Sequence, residues 1–264
     1  VRERGVKYIS TRTIGADHID LTAAKELGLK VCNSNYAPNG VADYTVMLML
    51  LSLRKYKPAL WRAQVNDYSL AGLQGRELRN LTVGILGTGK IGAAVIKNLS
   101  GFGCRILASD IRENPSLKGL CTYVDNETLY KACDIISLHM PLLDSTRHFV
   151  NAETIARMKD GVTIINCARG ELMNIPDMIR GIETQKIGAL ALDVFDKEDG
   201  IYHENRRDDI ISNRDMAYLR QFPNVIMTQH MAFYTDAAVQ SMVFCGIEGL
   251  CDFARTGHTA TELV

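Results

Sequence analysis

Three things are scarce in this 264-residue chain: excess charge of one sign, long apolar runs and regularly spaced cysteines. Thirty basic and thirty acidic residues cancel, so no overall field draws the chain to nucleic acid or to an anionic membrane. The most apolar window, 41–53, covers about 13 residues, whereas a helix needs roughly 20 to cross a bilayer. It predicts a buried helix, and we expect neither nucleic acid nor a membrane as a partner.

The seven cysteines are scattered, and no two are spaced Cys-x-x-Cys. An odd and scattered set argues against both a disulfide framework and a zinc site. We therefore expect free thiols, no metal and a cytoplasmic protein. The chain begins at Val1, without a methionine and already within an element, so we expect an N-terminal part to be missing.

The clearest pattern that is present is LTVGILGTGKIG, residues 81–92. A β-forming run leads into three glycines, and a helical stretch, Ala93 to Leu99, follows. Such glycines allow a tight turn, a close approach of the backbone to a pyrophosphate, and close packing of helix on strand. The helix N-terminus then faces the phosphates. The predicted cofactor-binding turn is Gly87, Thr88, Gly89, Lys90, Ile91 and Gly92.

A second β run, Cys104 to Ser109, ends at Asp110, about 20 residues after the glycine turn. An acid at this place can accept the ribose hydroxyls of an adenosine, and it would repel a 2′-phosphate. Asp110 therefore favours NAD over NADP, although the nearby Arg112 leaves the opposite choice open.

Apolar β runs and helical stretches alternate from residue 81 onward, which predicts a Rossmann-type, doubly wound parallel sheet with helices on both faces. Ligands of such sheets lie beyond the carboxyl ends of the strands. The residues that follow the predicted strands there are Asp110, His139-Met140-Pro141, Cys167-Ala168-Arg169-Gly170, Asp193 and His230.

Two other stretches matter for organisation. The apolar helix predicted over 41–53, with Asn39 as its N-cap, must be covered on all sides, which hints at a dimer. Residues 196–216 form a charged insertion, which predicts a solvated loop.

Three side chains suit reduction of a carbonyl by a nicotinamide cofactor, which needs a cation for the substrate, an acid/base and a group that orients the acid/base. The guanidinium of Arg169 can grip a 2-keto acid bidentately. A histidine such as His230, with an ordinary pKa of about 6.5, suits proton transfer near neutral pH. Taken singly, Arg169 also fits a surface charge, His230 a structural residue and Glu198 a solvated acid.

Taken together, these motifs resemble the D-isomer-specific 2-hydroxyacid dehydrogenases over essentially the whole chain. The segments that carry the resemblance are RTIGADHID, LRNLTVGILGTGKIG, MKDGVTIINCARG, DVFDKE and HMAFYTD. The long insertion after Glu198 and the Phe-Tyr-Thr-Asp after the histidine look most like the D-lactate dehydrogenase branch, including the enzymes made with vancomycin resistance.

The resemblance implies a role for each site residue. His230 would protonate the carbonyl oxygen, Glu198 would hydrogen-bond His230, and Arg169 would bind the substrate carboxylate. Asp193 would lie near the nicotinamide carboxamide. The remaining implied residues are His139, Met140, Pro141, Cys167 and Ala168 at the cofactor, where His139 and Pro141 also fit a structural role, and Ile14, Gly15, Tyr36 and Phe233 at the substrate.

The resemblance also implies two domains. Residues 1–36 and 234–264 would form a small, flavodoxin-like substrate domain that is truncated at its N-terminus, and 37–233 an NAD-binding domain with a dimerisation arm at 41–75. Gln229 and Asn174 depart from the family, which usually has Pro and Asp at these positions. The proline would stiffen the loop that aims His230.

The activity implied is NAD-dependent reduction of pyruvate or a related 2-keto acid to the D-2-hydroxy acid by a homodimer. Larger substrates such as phenylpyruvate, 2-oxoglutarate and 2-oxoisocaproate fit the same frame. An NAD-sensing binding protein on this fold is the alternative of another class. A short-chain dehydrogenase is excluded because no tyrosine here begins a Tyr-x-x-x-Lys motif.

Overall fold

The computed structural model describes residues 2–16 and 18–264, and these fall into two compact units. The larger unit is 41–232, and the smaller unit is formed by 1–40 together with 233–264.

The larger unit is built on a seven-stranded sheet in which every neighbouring pair of strands is parallel. The spatial order is β5-β4-β3-β6-β7-β8-β9. The strands are β3 (Thr82–Leu86), β4 (Arg105–Ser109), β5 (Thr122–Tyr123), β6 (Ile135–Leu138), β7 (Val162–Asn166), β8 (Ile187–Leu192) and β9 (Val225–Met227). The order reverses beside β3, and the crevice outside the strand ends at such a reversal is where ligands of these sheets bind.

Two helices, α2 (Asn39–Leu53) and α3 (Tyr56–Gln64), precede the first strand of this sheet. The helices between its strands are α4 (Lys90–Ser100), α5 (Asn126–Ala132), α6 (Ala152–Arg157), α7 (Ile175–Glu183) and α8 (Arg214–Leu219). Asn151 and Asn174 are the N-caps of α6 and α7, since each side chain accepts a hydrogen bond from a backbone N–H of the first turn of its helix. Asn39, in contrast, is the first residue of α2 rather than its N-cap.

The core of the larger unit lies between sheet and helices. Strands β6 and β7 are buried at every residue, as expected for strands covered on both faces. Helix α7 contributes Met178 and Ile182 to this core, and Leu129 of α5 contributes a fully buried side chain.

The smaller unit pairs β1 (Tyr8–Ser10) with β2 (Lys30–Cys32) in parallel and adds helices α1 (Leu21–Glu26) and α9 (Asp236–Thr256). The free edge of β2 is covered by the end of the chain, because Val31 exchanges backbone hydrogen bonds with Leu263 and Val264. The ring of Phe253, on α9, stacks on Tyr8 with centroids 5.5 Å apart.

Within the described residues, α9 is the one helix long and apolar enough to cross a membrane by length and composition. Core helices of soluble proteins pass the same test. Here a stripe of α9, formed by Ala238, Met242, Gly246, Gly249 and Phe253, is buried, and Met242 accepts a hydrogen bond through its carbonyl from Ser34 Oγ at 3.1 Å.

The Rossmann-type parallel sheet predicted from the sequence is confirmed, with strand ends within two residues of those expected. Three short elements were not predicted: β5, α3 and α8. The charged insertion is exposed over 203–210, as predicted, but its last residues begin α8 and bury Met216.

Candidate active site

The glycine turn joins β3 to α4 through very close backbone packing. Gly87 has φ +94°, a conformation that side-chain-bearing residues rarely adopt, and a Cβ there would lie 2.7 Å from the carbonyl of His139. A Cβ on Gly92 would lie 2.0 Å from the Gly87 carbonyl oxygen. Gly89 differs, because a Cβ there would meet nothing within 4 Å. The turn is thus tightly packed at Gly87 and Gly92, while the space next to Gly89 at the α4 N-terminus is open. This open space suits the approach of a pyrophosphate.

Asp110 follows β4 and is bound to this turn. Its Oδ2 accepts hydrogen bonds from the N–H of Thr88 at 2.5 Å and from the Thr88 hydroxyl at 3.1 Å. Its Oδ1 accepts from the N–H of Arg112 at 3.2 Å. Partial burial raises the pKa of Asp110, but these hydrogen bonds outweigh it and hold the pKa below the ordinary value. An ionised carboxylate therefore stands beside the turn, where it was predicted to meet a ribose.

His139 supports the glycine turn from the neighbouring strand. Its N–H donates to Leu86 at 2.7 Å, and its Nε2 is hydrogen-bonded to Ser137 Oγ at 2.8 Å. Burial lowers the pKa of His139 to about 4, so the ring is neutral at physiological pH. The backbone of His139 and Met140 packs against Gly87. The carbonyl of Pro141 accepts from the Thr146 hydroxyl at 2.7 Å.

Arg169 lies in a turn after β7 that the buried Asn166 side chain holds. Asn166 Nδ2 donates to the Arg169 carbonyl at 2.8 Å, and Asn166 Oδ1 accepts from the N–H of Ala168 at 2.9 Å. The guanidinium Nη1 donates to the Ala168 carbonyl at 2.8 Å. The adjoining Gly170 packs directly against the backbone of Phe195, since a Cβ at Gly170 would be 2.1 Å from the Phe195 carbonyl carbon. The turn that carries Arg169 is thereby packed against the segment that leads to Glu198.

Cys167, in the same turn, is a neutral thiol. Burial raises the pKa of Cys167 to about 12, so it is not a nucleophile at neutral pH.

Glu198 and His230 are in direct contact, although they lie 32 residues apart in the chain. Glu198 Oε1 accepts a hydrogen bond from Nδ1 of His230, and its Oε2 accepts from the N–H of Phe195 at 2.7 Å. Both side chains are partly exposed, 21% for Glu198 and 28% for His230. Because Nδ1 is bound to the carboxylate, Nε2 is the ring atom that can exchange a proton with a substrate.

Asp193 anchors the loop that carries His230. This fully buried carboxylate accepts from the Thr228 hydroxyl at 2.6 Å and from the N–H groups of Met231 at 3.0 Å and Ala232 at 2.8 Å. Its carbonyl accepts from the His230 N–H at 2.7 Å. Asp193 was predicted to contact the nicotinamide carboxamide. That contact stays a prediction, whereas the structure shows Asp193 hydrogen-bonded to the loop that carries His230.

The four predicted substrate residues all belong to the smaller unit. The carbonyl of Ile14 accepts from Asn33 Nδ2 at 2.7 Å, and that of Gly15 accepts from the Thr13 hydroxyl at 2.6 Å. The Phe233 ring meets Tyr234 edge to face, with centroids 6.0 Å apart. Tyr36 is half-buried. A role of these residues at the substrate stays a prediction.

Sequence reasoning missed Asn166 and His203. A buried asparagine at the end of an apolar strand needs hydrogen-bond partners, so its position alone predicts that the Asn166 side chain binds nearby backbone groups. His203 lies within a charged stretch without any motif, and only the structure shows its Nε2 at 3.0 Å from the His230 carbonyl. Across 2–16 and 18–264, no group of three or more His, Cys, Asp or Glu could hold a metal ion.

Similarity to known proteins extends over the whole chain. The profile of the family described as D-isomer specific 2-hydroxyacid dehydrogenase, NAD binding domain, matches residues 46–232. An aromatic 2-oxoacid reductase of Clostridium sporogenes is 44% identical over 100% of this chain and 80% of its own length. A D-specific alpha-keto acid dehydrogenase of Enterococcus faecium is 40% identical over 97% of this chain and 78% of its own length.

A solved structure with NAD bound is similar over the same extent. It is the D-isomer specific 2-hydroxyacid dehydrogenase of Lactobacillus delbrueckii ssp. bulgaricus, with a TM-score of 0.87, 32% identity, and coverage of 100% of this chain and 80% of that one. The profile match contains every strand of the large sheet and also Arg169, Glu198 and His230.

Proposed function

The chain belongs to the D-isomer-specific 2-hydroxyacid dehydrogenases, which are NAD-dependent oxidoreductases, and on this premise we propose that His230, Glu198 and Arg169 carry out its reaction. The substrates of the family are small 2-keto and 2-hydroxy acids. The observation that carries the proposal is the hydrogen bond between Glu198 and Nδ1 of His230 at the carboxyl edge of the sheet.

The residues present fit NAD. The open side of Gly89 leaves room for the pyrophosphate in front of the α4 N-terminus, and ionised Asp110 stands where an adenosine ribose is expected. When bound as NADH, the cofactor supplies the hydride that reduces the substrate carbonyl.

The protein's own groups handle the proton and the substrate charge. Nε2 of His230 donates the proton that the carbonyl oxygen takes up, while the Glu198 carboxylate at Nδ1 stabilises the positive ring that holds it. Arg169 binds the substrate carboxylate through its guanidinium fork. Asp193 holds the loop so that the ring of His230 stays aimed.

Two substrate classes compete. Pyruvate is the first candidate, from the likeness to D-lactate dehydrogenases. An aromatic 2-keto acid such as phenylpyruvate is the second, because identity to the aromatic 2-oxoacid reductase is 44%, against 39% to a D-lactate dehydrogenase of Lactobacillus delbrueckii. A panel of 2-keto acids, with NADH and NADPH measured side by side, separates the two. Tight NADH binding without turnover of any of them would favour a sensor instead.

The role of His230 is tested by His230→Gln. General acid–base catalysis contributes about 100- to 10,000-fold, so kcat is expected to fall by that range while the Kd for NADH, from its fluorescence, stays unchanged. The control is His148→Gln, which alters an exposed histidine elsewhere in the larger unit. Normal turnover by the His230 variant would remove this residue from the mechanism.

We also propose a homodimer that forms through α3. This helix has no buried residue, and the stretch that it begins exposes several large apolar side chains. These are Tyr56, Leu60, Trp61, Val65, Tyr68 and Leu70. Light scattering is expected to find a dimer for the wild type and a monomer for Trp61→Glu. Ile210→Glu, at an exposed site of the insertion, is expected to remain a dimer.

The domain assignment is part of the same proposal. An NAD-binding domain over 37–233 is supported by the compact unit 41–232 and by the profile match over 46–232. The remaining segments, 1–36 and 234–264, would be the substrate domain. A cytoplasmic location is supported by the free thiols of all seven cysteines.

A further inference from the structure

His203 reaches the backbone of the proposed acid/base residue. It lies in the charged insertion, five residues after Glu198, and its own ring is exposed. Its Nε2 is 3.0 Å from the carbonyl oxygen of His230. A carbonyl only accepts hydrogen bonds, so the hydrogen is on Nε2 of His203. The two rings are near neighbours, with centroids 6.0 Å apart.

The peptide of His230 needs such a hold because its conformation is unfavourable. His230 has φ +52°, in the left-handed region where a residue with a side chain costs about 1 kcal/mol or more. The preceding residue is Gln229, which leaves φ freer than a proline would. Contacts from outside the loop must therefore select this conformation.

Asp193, Glu198 and His203 supply such contacts. The Asp193 carbonyl accepts a hydrogen bond from the N–H of His230, and its carboxylate accepts from the N–H groups of Met231 and Ala232. These bonds fix one side of the loop. Glu198 fixes the ring through Nδ1. The His230 carbonyl is a further polar group of the residue, and its hydrogen bond comes from His203.

We propose that His203 is a positioning residue for the reduction, acting by holding the His230 carbonyl. The insertion then contacts His230 at two places: the Glu198 carboxylate binds the ring, and the His203 imidazole binds the backbone carbonyl. Neutral and protonated His203 can both donate from Nε2, so the hold depends on the hydrogen bond rather than on charge. This proposal rests on the proposed role of His230.

An exposed hydrogen bond contributes little to global stability, so the expected signature is a change in turnover without a change in folding. Losing one net hydrogen bond costs about fivefold, and a displaced reacting group costs up to about 100-fold. For His203→Leu we therefore expect kcat to fall between these limits, with the NADH Kd and the melting temperature unchanged.

His203→Gln is the rescuing variant, because the glutamine amide places an N–H donor near the position of Nε2. It is expected to keep kcat within about twofold of the wild type, which is less than the cost of one hydrogen bond. His148→Leu is the matched control, since His148 is also an exposed histidine with positive φ. It is expected to behave like the wild type.

A second readout does not need turnover. Hydrogen exchange of a peptide that contains residues 228–232 is expected to speed up in His203→Leu and to stay at the wild-type rate in His203→Gln and His148→Leu. Unchanged kcat and exchange in His203→Leu, or equal impairment of the Leu and Gln variants, overturns the proposal. An active His230→Gln enzyme would instead overturn the proposed function, while the exchange result would still show whether His203 holds the loop.

Discussion

Two halves of the same sheet edge are built by different means: the proposed cofactor half, around β3 and β4, and the proposed catalytic half, around β7, β8 and β9. Around β3 and β4, the turn 87–92 works through missing side chains and backbone groups, and its main partner, Asp110, lies 22 residues from Thr88. Around β7, β8 and β9, charged side chains make the contacts, and their hydrogen bonds join residues 32 to 39 positions apart in the chain.

The two halves therefore differ in the kind of substitution that impairs them. The cofactor half depends on space, so an added methyl group is the harmful change there. The catalytic half depends on hydrogen-bonded charges, so an isosteric loss of charge is the harmful change.

After His230→Gln, the largest effect is expected from Glu198→Gln, which removes a charge from the catalytic half without changing its shape. Hydrogen bonds to charged groups contribute about 1.5–3 kcal/mol, so kcat should fall about 10- to 100-fold while the NADH Kd is kept. Glu204→Gln, an exposed acid of the same insertion, is the control. A loss of NADH affinity in the Glu198 variant would show that the two halves are not separable.

Gly89→Ala adds a methyl group to the cofactor half without changing any charge. No atom lies within 4 Å of the added Cβ, so the melting temperature should hardly change. NADH titration should nevertheless show a weaker Kd, since the methyl group occupies the space that the pyrophosphate needs. Gly101→Ala, at the far end of α4, serves as the control, and equal affinity of the two variants would contradict the assigned phosphate position.

Asp110→Asn tests charge within the cofactor half. The lowered pKa keeps Asp110 ionised, and the charge repels a 2′-phosphate. The variant should bind NADH less tightly and discriminate less against NADPH, by about tenfold in the ratio of kcat/KM values. An unchanged ratio would show that another residue determines the preference for NADH over NADPH.

The smallest effect concerns His139 and the pH dependence of folding. The pKa of His139 is lowered from its ordinary 6.5 to about 4. As pH falls through this window the unfolded chain gains a proton there and the folded chain does not, so stability is lost. Between pH 7 and pH 4.5, His139→Gln should lose about 2 kcal/mol less of its free energy of unfolding than the wild type, measured by urea unfolding. Parallel curves for the two proteins would show that His139 titrates normally.

The sequence predicts the two halves unequally well. The glycine turn, Asp110 and the parallel sheet are encoded within short windows, and the structure has them where expected. The pairing of Glu198 with His230 followed only from resemblance to a family, because no local pattern links residues so far apart.

Some features had no local signal. The grip of Asp193 on the loop, and that of His203 on the His230 carbonyl, depend on how β8, β9 and the insertion pack. Helices α3 and α8 were missed because α3 buries none of its residues and α8 is short and begins within a charged run.

The parallel sheet has a practical consequence for protein engineering. Since every strand of the large sheet runs the same way, its functional loops all leave from one rim, and the opposite rim carries only the connections that enter the strands. The connection at Phe102 and Gly103, between α4 and β4, is exposed and belongs to that opposite rim. We expect a fluorescent label or an immobilisation handle inserted there to leave the proposed active site on the far rim undisturbed.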